Sequence, residues 1–329
     1  MKSLDKKLKN IISSNYSPSD FIIADAKDAD MAAGIRAPGF IREEDGVLTN
    51  KPASYSDYLN KIEAMTKSEE VDIMLMSMSS AERLVNKNIF EKSAVTPAVR
   101  LNDTSCTWGM IRNGEYNKEE SRPFATAQLR YAIKFADLGL YAMTFNKNVD
   151  RDVAMLNQYK EFRIKAEEVK MRHFLEVFNS AVIDLSPVEM GEYVNDCILK
   201  TVSGQISSER PLFLKIQYNG PKAMDELSSY DPSGLVVGIL GGSQGTSRDC
   251  FELIFQAHKY GARVALFGRK INLSEDQNMM IKTMKKVVHE NMGSEEAVKY
   301  YHDSLLKIKI KPDRELVKDM ELTDPTLKS

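Results

Sequence analysis

The chain has 329 residues, 43% of them hydrophobic and 28% charged, enough for one large barrel or two ordinary domains with a substantial core. A net charge of -2 gives no bulk reason to expect nucleic acid or an anionic membrane as a partner. Cys106, Cys197 and Cys250 are far apart, which fits a reducing compartment better than a disulfide framework. The opening MKSLDKKLKNIISS is too polar for a signal peptide, and no apolar run approaches the roughly 18 residues of a membrane span. The expectation is a cytoplasmic protein.

Residues 1–17 read as a leading helix that could close one end of a barrel. Short apolar segments then recur at 21–26, 71–78, 94–101, 138–145, 173–182, 211–218, 234–240 and 262–268. Amphipathic helical stretches follow most of them, such as SAERLVNKNIFEK and SRDCFELIFQAHKY. Alternating strands and helices imply parallel pairing with right-handed crossovers, and eight units imply an α/β fold of the (β/α)8 TIM-barrel class. The barrel spans about residues 20–289, and 291–329 form a C-terminal helical extension and polar tail, all within one domain. The fifth segment, HFLEVFNSAV, has no clean bounding turn. Long connections follow the first and third strands, at 28–55 and 102–123; loops of that length commonly serve as lids or interfaces.

The sixth segment carries the chemistry. In PLFLKIQYNG, alternation sends Leu212, Leu214 and Ile216 to one face and Phe213, Lys215 and Gln217 to the other, which in a barrel is the lumen. A lysine there is costly to keep charged, and a neutral amine can attack a carbonyl to form an iminium. The bland alternative is a lysine paired with a carboxylate, or a strand end whose lysine reaches solvent. The seventh strand runs into GGSQGTSRD and the eighth ends in FGRKI; glycines and helix N-termini at these two places are a recurrent phosphate-binding arrangement in barrels. Gly241, Gly242, Ser243, Gly268 and Arg269 would hold the phosphate, with ordinary turns and a surface arginine as the alternative.

These segments resemble the archaeal-type class I fructose-bisphosphate aldolases and their bacterial relatives. The family's strand-six Lys-x-x-Tyr-x-Gly pattern is filled by Lys215, Tyr218 and Gly220, its strand-seven Gly-Gly by Gly241 and Gly242, and its strand-eight end by Gly268 and Arg269. LYAMTFN and the helix after it look like the family's fourth unit, so the likeness runs over about residues 20–285. It implies Lys215 as the Schiff-base residue of a carbon–carbon lyase acting on a phosphorylated sugar or keto compound. It also implies no cofactor and a homo-oligomer.

Two positions depart from the pattern. The family's Asp-His-Gly after strand one is Asp25-Ala26-Lys27, and its strand-five tyrosine is replaced by Phe178, which has no hydroxyl. Candidates for proton transfer are therefore Asp25, which matches, then Lys27, Glu176 and Tyr218; Lys27 could instead hold a second acidic group. Arg100, Asn102 and Asp103 follow strand three and could face the mouth, with Arg100 and Asn102 taken as substrate-binding candidates; Trp108 and Arg112 could close over it. His173, His258, His289 and His302 are dispersed with no metal-ligand spacing, which favours a metal-independent route.

One rival reads residues 235–270 as the strand, glycine turn, helix and strand that bind NADP in short-chain dehydrogenases. Only helical or polar sequence follows, and Tyr260, Tyr300 and Tyr301 lack a lysine four residues on. The other rival is a noncatalytic phosphosugar-binding barrel, since a fold does not fix a function.

Overall fold

A computed structural model describes residues 1–241 and 245–328. Eight strands form a closed barrel: β1 Ile22–Lys27, β2 Ile73–Met76, β3 Thr96–Arg100, β4 Leu138–Thr144, β5 Arg172–Phe178, β6 Leu214–Ile216, β7 Gly238–Leu240 and β8 Val264–Phe267. Each pairs in parallel with its neighbours in chain order, and β1 closes on β8 with Ile22 opposite Val264. The fold is the (β/α)8 TIM barrel that the eight apolar segments imply. The fifth strand, the least bounded in the sequence, runs through Phe178 and stops before Asn179.

Two apolar layers result from the period-two alternation of parallel strands. The lumen holds Ile22, Ala24, Ala26, Ile73, Leu75, Ala98, Leu138, Leu140, Ala142, Phe174, Phe213, Val264 and Leu266. The opposite faces of the same strands, including Ile23, Met74, Val99, Met143, Leu175, Leu214 and Ile216, pack against the outer helices. Phe174 and Phe213 stack across the lumen at 4.7 Å between ring centroids. The helix Ser3–Ile12 places Leu4, Leu8 and Ile11 on one stripe, and these join the lumen cluster. They meet it at the end opposite the strand C-termini, beside Phe21 and Ala94, and close the lumen there.

Those loops carry their own small structures. The connection after β1 contains the helix Ala29–Ala33 and an antiparallel ribbon of Phe40–Arg42 with Leu48–Pro52. The connection after β3 pairs Asp103–Thr104 with Pro123–Phe124, and Trp108 packs on Tyr116 and Phe124 at 4.9 and 4.5 Å. The C-terminal segment folds back onto the helix Ser247–Lys259. Ser247 N donates to Asp319 Oδ1 at 2.8 Å, Thr246 Oγ1 to the Glu321 carbonyl at 2.7 Å, and Gln256 Nε2 to the Leu327 carbonyl at 3.0 Å. Asp319 in turn meets His302 at 2.9 Å. The polar tail is thus tied down along its length. Among the described residues, no helix is long and apolar enough to cross a membrane.

Candidate active site

The barrel mouth is built by a simple rule: on four strands, the residue two positions beyond a lumen-filling side chain is charged. Ala26 leads to Asp28, Ala98 to Arg100, Phe174 to Glu176 and Phe213 to Lys215. All four charged side chains line a cavity of about 350 Å³ at the C-terminal ends of the strands, the face where barrels carry their sites. Thr107, Met110 and Asn117 from the loop after β3 wall one side of it, with Cys106 beside them.

Lys215 Nζ lies 2.5 Å from Glu176 Oε1, the two residues being in register on β6 and β5. Glu176 Oε2 accepts from Arg100 Nη2 at 3.0 Å. Arg100 also donates Nε to Asp28 Oδ2 at 2.5 Å and Nη1 to Asp103 Oδ1 at 2.8 Å. The result is a buried chain of charges, Lys215–Glu176–Arg100–Asp28, with Asp103 on a side branch. Burial favours the neutral acid in both aspartates, but the outcomes differ. At Asp28 the charges of Arg100 and Lys215 outweigh burial and hold the carboxyl below its ordinary range. At Asp103 burial, helped by the negative charges of Asp28 and Glu176, outweighs Arg100 and pushes the pKa up to about 6. Burial opposes the Arg100 charge, yet Asp28, Glu176 and Asp103 together keep the guanidinium firmly protonated.

Gly241, Gly268 and Arg269 line the same cavity as Lys215, so the ends of β7 and β8 open on the Lys215 side chain. Gly242 and Ser243 lie outside the described residues. Packing leaves little or no room for a side chain at either described glycine. A Cβ on Gly268 would come within 2.7 Å of the Ala26 carbonyl on β1, and one on Gly241 within 3.1 Å of Phe267 Cα. Phe178 lines the cavity too, so the strand-five position faces the site without a hydroxyl to offer.

Four sequence candidates lie elsewhere. Asp25 and Lys27 point away from the lumen, because Ala24 and Ala26 take the inward positions of β1. They form a fully buried ion pair, with Lys27 Nζ 2.8 and 2.6 Å from the two carboxylate oxygens of Asp25. Burial pushes the Asp25 carboxyl up and the Lys27 amine down, each only partly offset by the other's charge. Tyr218 continues the outward face of Leu214 and Ile216, and its hydroxyl donates to Gln256 Oε1 at 2.8 Å. Asn102 brackets the backbone of Ala142 on β4, donating to its carbonyl at 2.8 Å and accepting from its N–H at 2.6 Å. It does the work of a ladder residue there and does not line the cavity.

Asp28 lines the cavity although it is not among the sequence candidates. The signal is the alternation of β1 carried one residue past its end, Ala24, Ala26, Asp28, which points the aspartate into the mouth. Among the described residues, no group of three or more His, Cys, Asp or Glu side chains could hold a metal ion.

The chain is a (β/α)8 barrel with a lysine at the mouth of its sixth strand, and solved structures share the barrel. A Schiff-base-forming fructose-1,6-bisphosphate aldolase aligns over 87% of this chain and 99% of its own, with a TM-score of 0.61 and 16% identity. A fructose-bisphosphate aldolase from Slackia heliotrinireducens aligns over 92% of this chain and 90% of its own, with a TM-score of 0.62 and 10% identity. At these identities the likeness is one of fold. In sequence, 112 residues are 28% identical to a 3-hydroxy-5-phosphonooxypentane-2,4-dione thiolase from Enterobacter sp. (strain 638), covering 34% of this chain and 37% of that protein. No protein-family model matches the chain.

Proposed function

We propose that the protein is a class I, Schiff-base-forming aldolase acting on a phosphorylated keto compound, with Lys215 as the amine. The observation that carries this is the position of Lys215 at the mouth of β6, in one cavity with Gly241, Gly268 and Arg269, where Glu176 at 2.5 Å can take its proton. Aldolase and thiolase, the names borne by the similar proteins, have one feature in common: a carbon–carbon bond near a carbonyl is broken or made.

In the proposed reaction, Glu176 accepts a proton from the Lys215 ammonium, and the freed amine adds to the substrate carbonyl. Glu176 returns the proton to the carbinolamine oxygen, water leaves, and a protonated iminium remains on Nζ. When the β-hydroxyl loses its proton the carbon–carbon bond breaks, its electron pair moves to the iminium, and an aldehyde departs from a lysine-bound enamine. Because the iminium is the electron sink, this route is metal-independent. Asp28, held ionised at the mouth, is the carboxylate available for the hydroxyl proton, a role that Phe178 cannot take. Arg269 and the backbone at Gly241 and Gly268 receive the substrate phosphate.

The test is borohydride reduction in the presence of phosphorylated ketoses and aldehydes, followed by peptide mapping. A reduced adduct should map to Lys215 and be missing from Lys215→Met. Failure to find one across such a panel would leave the ion pair with Glu176 as a structural feature, and the protein as a noncatalytic phosphosugar-binding barrel.

A further inference from the structure

A second cavity, of about 420 Å³, adjoins the first, and Arg269 and Lys270 stand in the walls of both. Four more cations line it: Arg36, Arg42, Lys61 and Arg314. Its described lining contains two carboxylates, Glu275 and Asp313, so six positive side chains face two negative ones in a chain whose net charge is -2. The cations arrive from four separate stretches of chain. Arg36 and Arg42 come from the connection after β1, Lys61 from the helix Tyr55–Ser68, Arg269 and Lys270 from the end of β8, and Arg314 from the C-terminal segment.

Both carboxylates are already engaged. Asp313 takes two bonds from Arg42, at 2.8 and 2.7 Å, and Glu275 accepts from the Tyr301 hydroxyl and from Asp313 N, each at 2.8 Å. Lys61 makes only a long bond to the Pro38 carbonyl, at 3.4 Å, and Arg36 bonds the Met110 carbonyl. Among the described residues, neither is ion-paired with a carboxylate. Burial and then the charges of Lys27 and Arg42 press the Lys61 amine below its ordinary value, a crowding that an anion would relieve. The proposed lyase reaction uses none of Arg36, Arg42, Lys61 or Arg314.

We infer that this cavity is a second anion-binding site, taking the phosphate group of a phosphate monoester. The inference rests on the proposed function only in that Arg269 is shared with the substrate phosphate. The phosphate belongs either to the far end of a bisphosphorylated substrate or to a separate ligand, and kinetics can tell these sources apart.

The probe for the site itself is inorganic phosphate, titrated calorimetrically at low ionic strength into the full chain. Two phosphates should bind per chain, and Lys61→Met or Arg36→Met should weaken one of them about tenfold or more while sparing the other. The two variants sit on different elements, and each is checked by circular dichroism for a native fold. Adduct formation at Lys215 with an unphosphorylated aldehyde should stay unchanged in both. A single phosphate per chain, or two whose affinities ignore both substitutions, would overturn the inference. A rise in KM confined to bisphosphorylated substrates assigns the phosphate to the substrate, and an unchanged KM for mono- and bisphosphates alike, with the calorimetric loss retained, assigns it to a separate ligand; either result sustains the site. Lys215→Met should still bind both phosphates, so loss of the lysine chemistry and loss of this site are separately visible.

Discussion

Replacing Asp25 separates a structural role for β1 from a catalytic one. Asp25 and Lys27 are both 0% exposed, and Lys27 Nζ donates to both carboxylate oxygens of Asp25, at 2.8 and 2.6 Å. In Asp25→Asn the amine loses its counter-charge with no route to water. Breaking a buried pair by removing one partner typically costs about 3–5 kcal/mol. Some of that is recovered here, because burial already presses the Lys27 amine toward its neutral form, so the expected loss is near the low end, about 3 kcal/mol. The double variant Asp25→Leu/Lys27→Met fills the same space with apolar atoms and should return to within about 1 kcal/mol of the parent or exceed it. Equilibrium urea denaturation followed by circular dichroism of the parent, Asp25→Leu, Lys27→Met and the double variant closes a cycle, in which the coupling should be at least about 2 kcal/mol. Borohydride-trapped adduct per folded molecule should be unchanged in the double variant. The reasoning fails if Asp25→Asn keeps the parent's urea midpoint but loses the adduct, for then the aspartate acts in the chemistry from outside the lumen.

Glu176→Gln keeps the shape of the side chain but removes the proton acceptor beside Lys215 Nζ. Adduct formation should slow by about 10²–10⁴-fold, the usual range for a positioned acid–base group, and a parental trapping rate would exclude Glu176 from proton transfer. His173 supplies a pH test of stability. Burial depresses its pKa to about 3, and Nε2 meets the Tyr159 hydroxyl at 2.8 Å. The folded value lies below the unfolded one near 6.5, so the unfolded chain binds the extra proton. Stability is then complete above pH 6.5 and declines as pH falls toward 3, by up to about 1.4 kcal/mol per pH unit from this one group. In His173→Gln, urea midpoints measured between pH 6.5 and 4.5 should show a shallower decline; an unchanged slope would mean that His173 is not the proton-binding group.

The barrel was legible because each strand carries a short β-rich apolar run, and eight of these with helical sequence between admit few other architectures. On β6 alternation also fixed the direction of Lys215, since Phe213 and Leu214 fall into the lumen and outer layers as expected. The same rule would have set Tyr218 aside, because it shares the outward face of Leu214 and Ile216. It was kept through its place in the family motif, and Asp25 was ranked first for the same reason. On β1 the inward residues are Ala24 and Ala26, whose small side chains announce no direction, and Asp28 stands just past the strand where a loop reading takes over. Asn102 was ambiguous for a different reason. A polar residue at a strand end can face a ligand or repair a neighbouring strand's backbone, and only the position of Ala142 decides between them. The tie between Asp319 and Ser247 joins residues far apart in sequence, which no local pattern reveals.

That last contact has a consequence for how the molecule is assembled. The helix Ser247–Lys259 follows directly on the glycine loop of β7, yet the N–H at its first residue waits for a carboxylate that lies 72 positions further along the chain. Closing so long a loop carries an entropic toll that local helix formation does not, so this end of the helix should be among the late contacts in folding. A protease cut or a fused tag near residues 319–327 would then be felt first at Thr246 and Ser247, at the start of this helix, while the opposite end of the barrel, sealed by Leu4 and Leu8, stayed shut.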